Sequence, residues 1–187
     1  MGGWVTVLVV VGVIVLVVLF IVGLYNSLVR SRQQVKNSWS QIEVQLKRRH
    51  DLIPNLVETV KGYAGHEKST LENVIRARSQ AVQAKGVDEQ VKAEKELSGA
   101  LGRLMVVVEQ YPDLKANASF LALQEELTST ENKIGFSRQY YNDSVMQYNT
   151  RIQTVPANFI ANMFAFQPEP FFEIEDKAER EAPKVQF

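Results

Sequence analysis

The chain has 187 residues, with 21 Lys and Arg against 21 Asp and Glu, so its formal charge is zero and gives no electrostatic pull toward nucleic acid or an acidic substrate. It contains no cysteine, which excludes a disulfide framework, a thiol nucleophile, a zinc knuckle and an iron-sulfur cluster. The length suits one domain of ordinary size plus terminal segments.

Residues 4–24 read WVTVLVVVGVIVLVVLFIVGL, with no charge and Thr6 as the one hydroxyl side chain. As a helix this run spans roughly 30 Å, the thickness of a hydrocarbon core, so it reads as a transmembrane helix. A cleaved signal peptide fits less well: no cationic segment precedes the run, the run is too long, and no small-x-small site follows it. The opening MGGWVT matches a loose myristoylation pattern, which a spanning helix makes redundant. The span contains no GxxxG pair and so carries no specific signal for dimerisation within the membrane. Residues 1–3 precede the span, while Arg30, Arg32 and Lys36 follow it closely. By the positive-inside rule the short N-terminus is extracytoplasmic and the rest of the chain lies in the cytoplasm.

From Tyr25 onward the apolar spacing is helical. Leu28, Val35, Ile42, Leu56 and Tyr63 share one heptad position, and Trp39, Leu46, Ile53 and Val60 share a second. Pro54 interrupts this frame without shifting its phase, which predicts a kink or a restart with Asp51 near the cap. A second helix, EKSTLENVIRARSQAVQAKG, carries Leu71, Val74, Ile75, Ala81 and Val82 and stops at Gly86. A third, which Asp88 is placed to cap, bears the stripe Leu97, Leu101, Leu104, Val108 and Tyr111 and ends at Pro112. The last long helix runs from about residue 115 to 152. Phe120, Leu127, Ile134, Tyr141 and Tyr148 recur along it at seven-residue intervals, with Leu123, Val145 and Ile152 beside them. The pattern predicts an all-α chain: a transmembrane helix over 4–24, an antiparallel up-and-down four-helix bundle over 25–155, and a Phe-rich strap over 156–187.

That C-terminal segment holds six of the nine phenylalanines and, from Glu169 onward, six acids against three bases. Two readings stand side by side. Phe159, Phe164, Phe166, Phe171 and Phe172 pack as a strap over their own bundle, or they dock on a neighbouring subunit or partner. The basic run Lys47, Arg48 and Arg49 is read either as a solvated helix face or as the complement of the acidic tail of another copy. On an upright helix Lys47 lies roughly 35 Å beyond Leu24, too far for lipid headgroups, so membrane attraction falls to Arg30, Arg32 and Lys36.

Catalysis finds little support. His66-Glu67 opens like the His-Glu-x-x-His zinc motif, but residue 70 is Thr. On one continuous helix His50 and His66 would face roughly 160 degrees apart, which prevents a shared metal unless Pro54 or Gly62 and Gly65 break the helix sharply. No nucleophile elbow exposes a serine, so both histidines read as seam or rim residues.

The stretch YNSLVRSRQQVKNSWSQIEVQLKRRHDLIPNLVETVKGYAGHE, followed by RARSQA and a Phe-rich end closing in APKVQF, resembles the bacterial LemA family over essentially the whole chain. Its most specific part is QLKRRHDLIPNLVETVKGYAGHE, residues 45–67. The resemblance implies a protein of the bacterial cytoplasmic membrane with a helical domain, and it brings no catalytic residue and no cofactor. Relatives often lie beside membrane metalloproteases of the HtpX kind, and one branch serves magnetosome formation. The expectation is therefore a non-enzymatic scaffold anchored in membrane lipid that assembles as a homo-oligomer. An adaptor or regulator of such a membrane protease is the alternative.

Overall fold

A computed structural model describes residues 2–172. All its regular elements are helices, and no strand occurs among the described residues: α1 (Gly2–Lys61), α2 (Lys68–Gln83), α3 (Gly86–Val108), α4 (Pro112–Lys115), α5 (Ala118–Gln153) and α6 (Ala157–Met163). Residues 173–187, which carry most of the acidic tail and Phe187, lie outside the described residues.

The first part of α1 is an apolar helix whose side chains are exposed from Trp4 to Val22, long enough to cross a membrane. A Val-rich run has modest helix propensity in water, but in hydrocarbon a helix satisfies every backbone group internally. The helix then continues to Lys61 with Pro54 inside it. The expected restart at Asp51 is absent, and Asp51 lies exposed in mid-helix, capping nothing.

Two compact units make up the described chain. Unit 1 contains residues 2–42 and 137–171, and unit 2 contains residues 43–136 and Phe172. In unit 1 the buried positions are Leu28, Val35, Ser38 and Ile42 of α1, Tyr141, Ser144, Val145, Tyr148 and Ile152 of α5, and Ala157, Ile160 and Ala161 of α6. Trp39 meets the Tyr141 ring edge-on at 5.5 Å, and Arg151 Nη1 donates to Ser31 Oγ at 2.8 Å. Gln34 Nε2 also contacts the Tyr140 hydroxyl. The chain after α6 is tied to α5 by side chains that reach its backbone. Tyr148 Oη donates to Gln167 O (2.9 Å), Tyr141 Oη donates to Pro170 O (2.8 Å), and Asn149 bonds both the N–H and the carbonyl of Glu169 at 2.9 Å.

In unit 2 one apolar core joins Ile53, Leu56, Val57 and Val60 to Leu71, Val74, Ala77 and Ala81, to Leu97, Leu101, Leu104 and Val108, and to Leu114 and Phe120. The heptads predicted for α1, α3 and α5 therefore face inward, with Leu123 and Leu127 partly buried. On α2 the inward face is Leu71, Val74, Ala77 and Ala81, whereas Ile75 and Val82, expected in the core, are exposed. Tyr63 also falls beyond the end of α1 and is exposed, its hydroxyl accepting from Asn117 Nδ2.

Helix ends account for the shifted boundaries. Gly86 takes φ +77, a left-handed turn suited to glycine, and starts α3 where the sequence pattern ended α2. Asp88, expected as the cap, lies inside the first turn of α3; the N-cap is Lys85, whose N–H donates back to Glu89 Oε2 at 3.0 Å. At α5, Asn117 Oδ1 accepts from the Phe120 N–H at 3.0 Å and fixes a start at Ala118.

Candidate functional site

Within unit 2 the most specific stretch of the sequence builds a buried polar network. Arg49 stands seven residues after Ile42 and seven before Leu56, in the inward heptad position. Its guanidinium is 5% exposed, its partner Glu94 is 1% exposed, and Nη1 lies 3.1 Å from Glu94 Oε2. The same nitrogen lies 3.2 Å from Glu131 Oε2, and Nη2 donates to Ser98 Oγ at 2.8 Å. The other Glu94 oxygen accepts from His50 Nε2 at 2.7 Å and from Gln90 Nε2 at 3.0 Å. Gln90 Nε2 also reaches Ala81 O at 3.1 Å. One carboxylate thus holds donors from α1 and α3, and the network extends to α2 through Ala81 and to α5 through Glu131. A buried charge is tolerated only when paired and hydrogen-bonded, and here both ions are.

A second contact explains how α1 tolerates its proline. Pro54 has no N–H to give the His50 carbonyl one turn earlier. Arg78 Nε donates to that carbonyl at 2.7 Å, so a side chain of α2 replaces the missing backbone donor. Arg78 is the second arginine of RARSQA, and its partner carbonyl lies in the KRRHDLIPN segment. Two motifs separated along the chain therefore meet at one acceptor.

Chemically, the arrangement fixes groups in place. His50 with Glu94 resembles the imidazole-carboxylate half of a hydrolytic triad, but both residues are over nine-tenths buried and Glu94 is already occupied by Arg49 and Gln90. His66 lies in the exposed turn after α1, off the helix that carries His50. Among the described residues no group of three His, Asp or Glu side chains converges as a metal site. An open groove of about 440 Å³ passes the network, bordered by Arg49, Ser98, Met105, Leu127 and Glu131.

The three consecutive cations expected to act together point to different tasks. Lys47 is exposed, Arg48 is half-exposed and pairs with Glu126 at 2.6 Å, and Arg49 is withdrawn into the network. In unit 1, Arg30 and Lys36 are exposed and Arg32 lies 3.8 Å from Glu169. The phenylalanines also divide. Phe159, Phe164 and Phe171 are exposed, Phe166 is partly covered, and Phe172 is buried. Phe164 and Phe166 both meet Tyr25, with ring centroids at 4.8 and 5.8 Å. The turn that presents them is a Schellman closure: Phe166 N–H bonds Ala161 O, Ala165 N–H bonds Asn162 O, and Ala165 takes φ 53 in place of the usual glycine.

Nearby, Tyr148 has no exposed surface, and burial raises its phenol above the ordinary value. Arg32 opposes that rise and Glu169 adds to it.

An exposed apolar helix of membrane-spanning length joined to helices with internally paired polar groups defines a membrane-associated, all-helical protein. The sequence profile of the LemA family matches residues 38–187, and the chain belongs to that family. Similar proteins include Protein LemA of Metamycoplasma hominis, 30% identical over 142 residues, which cover 75% of this chain and 64% of that protein. Magnetosome protein MamQ 2 of Paramagnetospirillum magneticum is 29% identical over 175 residues, 80% of this chain and 64% of that one. Magnetosome protein MamQ of Magnetospirillum gryphiswaldense is 28% identical over 174 residues, 79% and 64%. The chain thus spans slightly less than two thirds of the length of each of these relatives.

Proposed function

We propose that the protein is a non-enzymatic scaffold, inserted in the bacterial cytoplasmic membrane through residues 4–24, whose copies associate laterally through an antiparallel four-helix bundle. The bundle comprises α2, α3 and the unit 2 parts of α1 and α5. The observation that carries the reading is the use made of the distinctive charged residues. Arg49, His50, Arg78 and Glu94 bond one another or the backbone inside the fold, so they hold helices together and present no reactive group.

Lateral association draws on an exposed flank of α2, where Ile75 and Val82 stand at heptad spacing beside the buried Leu71, Val74 and Ala81. Tethering copies to one plane removes much of the entropic cost of association, so a small apolar contact is effective. Lys47 is exposed for a charge register with acidic residues of a neighbour, while Arg48 is engaged with Glu126. Relatives named LemA in a mycoplasma and MamQ in magnetosome-bearing organisms are consistent with a scaffold used in unlike settings.

The test is particle mass by light scattering after extraction in mild detergent. The native protein is expected to form a multi-copy particle. Ile75→Glu with Val82→Glu should shift it toward the monomer while helicity is retained. A native protein that is already monomeric would overturn the reading.

A further inference from the structure

We propose that α6 is a second membrane contact: its outward apolar side chains, Phe159, Met163 and Phe164, together with Val155, lie in the interfacial layer of the bilayer, beside the point where α1 leaves the hydrocarbon core. The proposal rests on reading residues 4–24 as a membrane span, and every group it uses belongs to unit 1.

Helix α6 has two faces. Ala157, Ile160 and Ala161 are buried, at the i, i+3, i+4 spacing of a helix packed against its own unit. Phe159 and Met163, one turn apart on the other face, are 65% and 72% exposed. Val155, in the turn before α6, is 73% exposed, and Phe164 at the C-cap is 51% exposed. The outward face therefore presents two large apolar side chains beside the exposed Asn162 and carries no charge. No Asp, Glu, Lys or Arg occurs anywhere in residues 152–168.

Tyr25 determines which surface covers that face. It directly follows the last residue of the apolar run, at the level where aromatic side chains sit between headgroup and acyl chain. Phe164 packs on the Tyr25 ring at 4.8 Å, and Phe166 meets it edge-on at 5.8 Å. The C-terminal end of α6 is thereby fixed at the membrane boundary. A seven-residue helix is only about 10 Å long, and an interfacial layer is some 5–8 Å thick on each side of the core. Met163 and Phe164 thus fall within the layer, and Phe159 lies one turn from them. A lipid surface is the occupant that matches this position. Arg30, five residues after Tyr25, is exposed, and Arg151 donates to Ser31 Oγ.

Depth-dependent fluorescence quenching tests this in the full-length protein. The protein would be reconstituted in phosphatidylcholine-phosphatidylglycerol vesicles containing a lipid brominated near the top of its acyl chains. Three single-tryptophan proteins are needed: Trp39→Phe alone, which keeps Trp4, and Trp4→Phe, Trp39→Phe combined with Phe159→Trp or with Met163→Trp. Each should first show unchanged helicity by circular dichroism. The expected result is loss of most of the emission at 159 and 163 to the brominated lipid, comparable to the loss at Trp4, with little quenching by aqueous iodide. Quenching at Trp4 but not at 159 or 163 would overturn the α6 assignment and leave the span intact. In that case iodide accessibility would show a bare surface, and protection from iodide a protein partner or second copy. No quenching at Trp4 would overturn the span itself, and the inference with it.

Discussion

Glu94 is held by Arg49, His50 and Gln90; without it Arg49 keeps Ser98 and the half-exposed Glu131, and Gln90 keeps the Ala81 carbonyl. Glu94→Ala leaves the Arg49 guanidinium buried without its main counter-ion and should cost about 3–5 kcal/mol. The Arg49→Met, Glu94→Leu pair should cost much less than the sum of the single changes, because both desolvated charges leave together. Urea unfolding followed by circular dichroism checks both values. Tyr148 yields a pH prediction. Its phenol is raised in the folded state, mainly by burial, so the folded protein holds the proton more tightly than the unfolded chain. The contribution is complete below the ordinary tyrosine value near 10 and is lost as pH rises through the raised one. Tyr148→Phe should remove this alkaline step while losing about 1 kcal/mol at neutral pH with the bond to Gln167 O. Thermal unfolding from neutral to alkaline pH would show the two curves converging as the pH rises.

The heptads of α1, α3 and α5 predicted which faces are buried, because an apolar stripe at that period has one place to go. On α2, Leu71, Val74 and Ala81 are buried as expected, but small Ala77 joins them on the inward face and the larger Ile75 and Val82 are exposed. Hydrophobicity alone cannot distinguish a helix with two apolar flanks from one with a single flank. The network was hidden for the same reason: Arg49 and Glu94 occupy core positions in stripes that otherwise read as aliphatic. Arg49 lies between Ile42 and Leu56, and Glu94 seven residues before Leu101. A charge of each sign inside two stripes is a readable signal for a buried ion pair, but it is lost when only apolar residues are counted. The restart offered as one alternative at Pro54 does not occur, and the donor that compensates for the proline belongs to another helix. Arg78→Met should cost about 1–3 kcal/mol in the native background, where the His50 carbonyl then has no donor. In a Pro54→Ala background a backbone N–H takes over, and the same change should cost less, with a coupling of about 1 kcal/mol by urea unfolding.

For the whole chain, the apolar N-terminal run and the all-helical character were plain from the sequence, since both follow from long uninterrupted patterns. The division into two units was not, because α1 and α5 run through both without a break in periodicity. The orientation expected from Arg30, Arg32 and Lys36 after the span is directly measurable, because the sequence contains no cysteine. In intact spheroplasts an impermeant maleimide should label Gly2→Cys, whereas Ser119→Cys should react only after lysis. The reverse pattern would place the helical domain outside. The Arg78 bond also bears on how the protein is made. A ribosome delivers His50 to Pro54 well before Arg78, which lies 28 residues after His50 in the chain. During that interval the nascent helix carries a carbonyl that nothing in its own segment can satisfy. Its completion therefore waits on a later part of the message, so a truncated nascent chain ending before RARSQA should leave this turn exposed to solvent and open to amide exchange.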